Sequence, residues 1–242
     1  MISQLRDGVR YLDIKLCRDK SASFKEAMIK SCNNFFNEPI VESLKEVLQF
    51  ITESKKELVI LDFSHFFGMS NGDHDYLAKL IVTTFKNKLV SNRIFDPTSS
   101  LNEIWKTAQR IIVIYNNDRI VSKSKEIFWP KSNSITYARP LVQSTHELFI
   151  KLSSQLSSRK ETDAGFYALQ AVLSPNDEMI AKGIIGRPSS ALELGHSYNP
   201  EITNWISTSA LPRSKINIII LDNYSSNEKV MRAILQQNTF KI

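Results

Sequence analysis

The chain has 242 residues, 42% of them hydrophobic, enough to bury a core without metals or disulfides, so one domain over residues 1–242 is expected. Its 31 Lys and Arg against 25 Asp and Glu leave a net charge of +6. The basic residues are scattered, which reads as a solvated surface able to assist contact with anionic membranes and implies no nucleic-acid partner. No apolar stretch approaches the roughly 18 residues of a spanning helix, and residues 1–5 carry no basic segment leading into an apolar one. A soluble chain of unknown compartment is expected. Cys17 and Cys32 are too few for a disulfide framework and lack metal-ligand spacing, with one isolated bridge left open.

In chain order, a strand is predicted over residues 9–16. Pro39 then opens a helix whose Val41, Leu44, Val47, Leu48 and Ile51 share a face. A second strand at 58–63 leads to a helix capped by Asp73, with Leu77, Leu80, Ile81 and Phe85 facing inward. A third strand at 110–116 runs into a polar loop. A helix over 144–156 and a strand over 166–173 follow. Residues 177–199, with Gly183, Gly186, Pro188 and Gly195, read as a long irregular connection, followed by a short helix at 201–206, a strand at 215–222 and a helix at 226–236. Asn223-Tyr224-Ser225 fits the glycosylation pattern, but it closes an apolar run and is read as chance.

Alternating strands and helices, with near-continuous apolar strands such as residues 216–221, suit a parallel sheet covered on both faces. Such sheets place their sites at strand carboxyl ends. Asp13, Asp62 and Asp222 each stand at or near such an end. One acid there is most simply a cap or loop residue, whereas three point to a cleft.

The segment Gln4-Leu5-Arg6-Asp7-Gly8-Val9-Arg10-Tyr11-Leu12-Asp13-Ile14-Lys15 resembles the Q-L-x-x-G-[IV]-R-[YF]-x-D-[IL]-R signature of phosphatidylinositol-specific phospholipase C X domains, the stand-alone X-domain proteins most of all. A second hallmark, L-D-F-N-H-F after an apolar strand, is matched by Leu61-Asp62-Phe63-Ser64-His65-Phe66. Shorter matches continue in order through Trp105, Tyr115, Trp129-Pro130, Ser174-Pro175 and Asp222, so the resemblance spans essentially the whole chain.

The resemblance implies a distorted, incompletely closed (β/α) TIM-like barrel and, for active members, attack of the inositol 2-hydroxyl on its own phosphate. Two histidines act there as base and acid while a cation steadies the phosphoryl oxygens. Asp13 matches the family's strand acid. Lys15 stands where calcium-independent members have arginine and calcium-dependent ones a second acid, so no metal or other cofactor is implied; lysine keeps the charge but not the bidentate fork. Asp222 resembles the late acid that orients the first histidine. Asp62, His65, Tyr115 and Asn117 are the expected substrate contacts. The expected partner is a phosphoinositide or anionic lipid headgroup, with peripheral membrane contact.

Two departures follow. The family's first histidine and its strand precede the segment matched by Gln4, so the barrel is expected to lack its first strand and the chain to be N-terminally incomplete. The second histidine belongs in a segment where this chain has Met28-Ile29-Lys30-Ser31-Cys32, and no histidine occurs between Lys15 and Phe63. Cys32 there has no partner base and is expected as a partly buried, inert thiol. His65, flanked by phenylalanines, is expected to be packed, and His74, in a helix's first turn, to be on the surface; His146 and His196 match no catalytic position. The chain therefore reads as a phosphoric diester hydrolase by descent with impaired catalysis. The alternatives are a non-catalytic inositol-phosphate-binding, anionic-lipid-binding or scaffold protein, or a fragment of an active parent enzyme.

Overall fold

A computed structural model describes residues 1–33, 35–160, 162–209, 216–222 and 228–239. The chain divides into two compact units, Met1–Ser134 and Ile135–Ile242.

The first unit begins with a short helix, α1 (Ile2–Arg6), followed by β1 (Tyr11–Arg18). Gly8, at φ 104°, makes the turn between them in a conformation that side chains resist. Arg10 fixes the entry to β1: its guanidinium donates to the Leu5 and Val9 carbonyls at 2.6 and 2.8 Å and to Glu57 at 2.7 Å. β2 (Ile29–Asn33) and β3 (Phe35–Pro39) follow, then α2 (Ile40–Glu53), β4 (Val59–Phe67), α3 (Asn71–Phe85), α4 (Leu101–Trp105), β5 (Ile111–Tyr115), α5 (Asp118–Lys123), β6 (Phe128–Pro130) and α6 (Lys131–Ser134). The sheet order is β3-β2-β1-β4-β5-β6. β1, β4, β5 and β6 run parallel, while β2 is antiparallel to both β1 and β3.

Period-two alternation decides which side of this sheet does what. Leu12, Ile14 and Leu16 of β1, Val59, Leu61 and Phe63 of β4, and Ile111, Val113 and Tyr115 of β5 enter one core with α2 and α3. From α2 this core takes Leu44, Val47 and Ile51, and from α3 Leu77, Ile81 and Phe85, faces that the helical spacing predicts. Asp13, Lys15 and Asp62 are left on the other face. The cap of α3 differs from expectation: Ser70 is the N-cap, and Asp73 completes a capping box by accepting from the Ser70 backbone at 2.9 Å.

β2 and β3 were not expected, because Lys30, Ser31 and Asn33 break any apolar alternation. With β2 beside β1, Cys17 and Cys32 form a disulfide. The expectation of a free Cys32 thiol is thereby corrected: antiparallel pairing of Cys17 with Lys30 and Leu16 with Ser31 sets the two sulfurs on neighbouring strands.

In the second unit β7 (Ile135–Ala138), β8 (Phe166–Gln170) and β9 (Ile218–Ile220) form a parallel three-stranded sheet in that order. Its helices are α7 (Thr145–Ser158), α8 (Asp177–Ile185), α9 (Ala191–Thr208) and α10 (Glu228–Thr239). Leu148, Leu152 and Leu156 of α7 and Tyr198, Ile202 and Ile206 of α9 share a core with Tyr167 and Leu169 of β8. The irregular connection expected over residues 177–199 is instead α8 and the first half of α9. Pro200 lies inside α9, where it removes one backbone donor but leaves the flanking turns intact. The helix starts a full ten residues earlier than expected, where Ser190 accepts from the Glu193 backbone at 3.2 Å. The Asn223-Tyr224-Ser225 pattern and the expected starts at residues 215 and 226 lie outside the described residues.

Candidate functional site

Midway along β1 and β4, three residues or more before either strand ends, the register slips, so the expected strand-end position of Asp13 and Asp62 is not met. Ile14 pairs with Phe63, but Lys15 pairs with His65, so Ser64 is an extra residue in β4. Such a bulge is rare between parallel strands and re-aims the side chains that follow it. Here it turns His65 away from the core, where it lies exposed beside Lys15, and returns Phe66 to the core side. β5's continuation holds the bulge in place: the Asn116 amide group donates to the Ser64 carbonyl at 2.8 Å and its backbone N–H donates to the Phe63 carbonyl at 3.1 Å.

Around the bulge, the Ser64 hydroxyl donates to the Asp13 carboxylate and lies 2.9 Å from His65 Nδ1. The His65 ring stacks on Phe67, with planes 9° apart and centroids 6.2 Å apart. Expected to be packed, His65 is instead exposed, because the extra residue reverses its side.

Asp62, one step deeper, is wholly buried. It accepts from the Tyr11 hydroxyl at 2.8 Å and pairs with Lys131 Nζ at 3.6 Å. It serves as an internal anchor between β1, β4 and α6.

The cations on and near these strands differ in how they are matched. Arg18 pairs with Asp73. Lys30 pairs with Asp19 at 2.7 Å, and this contact together with the Ser21 donors holds the Asp19 carboxyl at about 2. Lys131 has Asp62. Lys15, half-buried, has no ion-pair or hydrogen-bond partner among the described residues. A lysine held beside Asp13, Ser64 and His65 without an acid of its own is suited to an incoming anion.

Tyr115 and Asn117 are placed otherwise. Tyr115 faces the helix-side core, 1% exposed, where burial raises its hydroxyl pKa and His74 Nδ1 lies 2.9 Å away. Asn117 caps α5, accepting from the Ile120 N–H at 3.2 Å. His74, expected on the surface, is buried at 6% exposure on the same stripe of α3 as Leu77 and Ile81. Burial, with the Arg119 charge, lowers its pKa, so the folded state holds it neutral. The unfolded chain takes up the proton first as pH falls through about 6.5. Urea unfolding at pH 7.5 and 5.5 is therefore expected to show stability lost toward the lower pH, and His74→Gln to flatten that loss.

In the second unit, Asp222 follows β9 and accepts from the Tyr198 hydroxyl at 3.3 Å, while Asn199 donates to its backbone carbonyl at 2.9 Å. Burial raises the Asp222 pKa despite that hydrogen bond. Elsewhere, a shallow cavity of about 520 Å³ in the first unit is lined by Met1, Gln4, Ser31, Asn37, Glu38 and Ser43, and no sequence-predicted site residue borders it. Sequence reasoning missed Ser64, Asn116, Tyr11 and Lys131. The one signal for the bulge was the spacing of three between Phe63 and Phe66, both core-facing, which period-two alternation does not allow.

Parallel strands alternating with helices, as in this α/β chain, are the layout of (β/α) barrel proteins, and the solved structures agree. Phosphatidylinositol-specific phospholipase C from Listeria monocytogenes matches with a TM-score of 0.65 at 14% identity, over 99% of this chain and 82% of that one. The enzyme from Staphylococcus aureus matches at 0.67 and 11%, over 96% and 82%. These are barrel enzymes, so the expected α/β barrel class holds, although the strands among the described residues fall into two hydrogen-bonded sheets. The family model described as phosphatidylinositol-specific phospholipase C, X domain, matches residues 1–117. PI-PLC X domain-containing protein 2 of Mus musculus is 27% identical over 90% of this chain and 62% of its own length. PI-PLC X domain-containing protein 3 of Bos taurus is 26% identical over 90% and 65%. Over residues 1–117 the chain is thus similar to the phosphatidylinositol-specific phospholipase C X domain, and it spans less than two thirds of the length of these relatives.

Proposed function

We propose that the chain, read over residues 1–242 as one X-like domain, binds a phosphoinositide or other anionic lipid headgroup beside Lys15 of β1 and cleaves the phosphodiester far more slowly than an intact family enzyme. The observation that carries this reading is Lys15: half-buried, beside Asp13 and His65, and without an acidic partner among the described residues. In this reading Lys15 holds the phosphoryl oxygens, Asp13 and His65 border them, Asp62 fixes the strands from within, and Asp222 is a remnant of the catalytic set.

Impaired cleavage is supported by β2. The segment matched to the family's second histidine carries Lys30, Ser31 and Cys32, with Cys32 tied to Cys17 and Lys30 to Asp19. Loss of a general acid or base costs about 10²- to 10⁴-fold in rate. No helix among the described residues is long and apolar enough to cross a membrane, so contact with lipid in this reading is at the bilayer surface.

Cosedimentation with phosphatidylinositol vesicles tests the binding site. A hydrogen bond to a charged group contributes about 1.5–3 kcal/mol, so Lys15→Ala is expected to weaken binding about ten- to hundred-fold. Lys15→Arg, with its planar fork, is expected to retain or strengthen it. Equal binding by wild type and Lys15→Ala would remove Lys15 from the site.

A further inference from the structure

We infer that His65 supplies a working imidazole to this site, with Asp13 and Ser64 as its positioning residues. The inference rests on the phosphoryl-binding reading of Lys15 and adds a proton acceptor to it.

The hydrogen-bond directions follow from counting protons. A carboxylate only accepts, and Ser64 has a single hydroxyl proton. Because the Ser64 hydroxyl bonds to Asp13, that proton points at the carboxylate. The contact of 2.9 Å between Ser64 Oγ and His65 Nδ1 must then be made by a proton on Nδ1, with the serine oxygen accepting. The proton-bearing atom of the neutral ring is thereby Nδ1, and the lone pair lies on Nε2. The ring is exposed, so Nε2 is open to a ligand.

Three further features hold this ring in place. Stacking on Phe67 sets its plane. The Asn116 side chain and backbone fix the bulge from which it projects. Ser64 itself is 1% exposed, so water does not compete for its hydroxyl.

On a phosphodiester held by Lys15, a neighbouring hydroxyl of the substrate transfers its proton to His65 Nε2 as its oxygen bonds to phosphorus. The ester P–O bond breaks with its electron pair on the departing oxygen. That alkoxide takes a proton from water, and the imidazolium returns one to the hydroxide so formed. The products are a cyclic phosphate and an alcohol, with no oxidant or second substrate needed.

Release of diacylglycerol from phosphatidylinositol vesicles, measured against a protein-free background, tests the role together with vesicle binding. Wild type is expected to exceed background, and His65→Ala and His65→Gln to lose about a hundred-fold of that excess at vesicle saturation, with an unchanged unfolding midpoint. Unchanged turnover in both variants overturns the role. Binding by wild type with no turnover above background also overturns it, while leaving the headgroup reading intact; absence of binding instead overturns that reading. Long-range ¹H–¹⁵N spectra of the imidazoles give a second measure independent of turnover. A protonated Nδ1 on His65 that loses its fixed tautomer in Ser64→Ala is expected, and a protonated Nε2 in the neutral wild-type ring contradicts the arrangement.

Discussion

Replacing Cys17 and Cys32 together by serine is expected to lower the free energy of unfolding by about 3 kcal/mol, the entropic value for closing a loop of some fifteen residues. The two cysteines are 15 residues apart and bridge β1 to β2. The bridge restricts the unfolded chain, and in the folded one it secures β2 alongside the strand that carries Lys15. Urea unfolding of wild type with and without reductant, next to the double variant, measures the effect. Reductant should shift the wild type alone. A stability unchanged by both treatments would show that the bridge does not constrain the unfolded chain.

Asp62→Ala is expected to cost about as much, at least 3 kcal/mol. Removing one member of a buried ion pair typically costs about 3–5 kcal/mol, because the other charge stays desolvated. Asp62 has no exposure at all and accepts a hydrogen bond from the Tyr11 hydroxyl at 2.8 Å. Lys131 remains 18% exposed, so part of its charge can turn to water, which sets the estimate at the lower end. Asp62→Asn keeps an acceptor for Tyr11 and should fall between alanine and wild type. A loss below about 1 kcal/mol in urea unfolding of Asp62→Ala would mean that Lys131 and Tyr11 find other partners.

Much of the helix-and-strand frame was legible because the apolar spacing was undisturbed. Leu44, Val47 and Ile51 define a helical stripe that is the buried face of α2, and residues 111–115 are apolar without a break and buried throughout. β2 escaped notice for the opposite reason: Lys30 forms an ion pair and Cys32 a disulfide, contacts that leave no periodic trace. α9 was obscured by Pro200, although the Ser190 and Glu193 pair that starts it was present in the sequence.

At the site, the strands that carry Asp13, Lys15 and Asp62 were legible from the apolar runs around them, but the expected strand-end position was not met: β1 runs on to Arg18 and β4 to Phe67, so all three lie within their strands. The two histidines exchanged their expected surroundings. His65 was placed in the core by its phenylalanine neighbours, but one bulged residue at Ser64 turns it outward. His74 was placed on the surface by its nearness to a helix start, yet its spacing of three and seven from Leu77 and Ile81 puts it on the buried stripe, where the Tyr115 hydroxyl satisfies it. Both outcomes depend on which face a residue occupies, and a single insertion in a strand changes that without changing composition.

Vesicle binding and phosphatidylinositol cleavage, measured on one preparation of the wild-type chain, test most directly whether this is a headgroup-binding X domain with weakened chemistry. The expected result is binding that requires phosphatidylinositol or another anionic lipid, is displaced by free inositol phosphate, and is accompanied by turnover about 10²- to 10⁴-fold or more below that of the Listeria monocytogenes enzyme. Turnover equal to that enzyme's, or binding indifferent to anionic lipid, would contradict it.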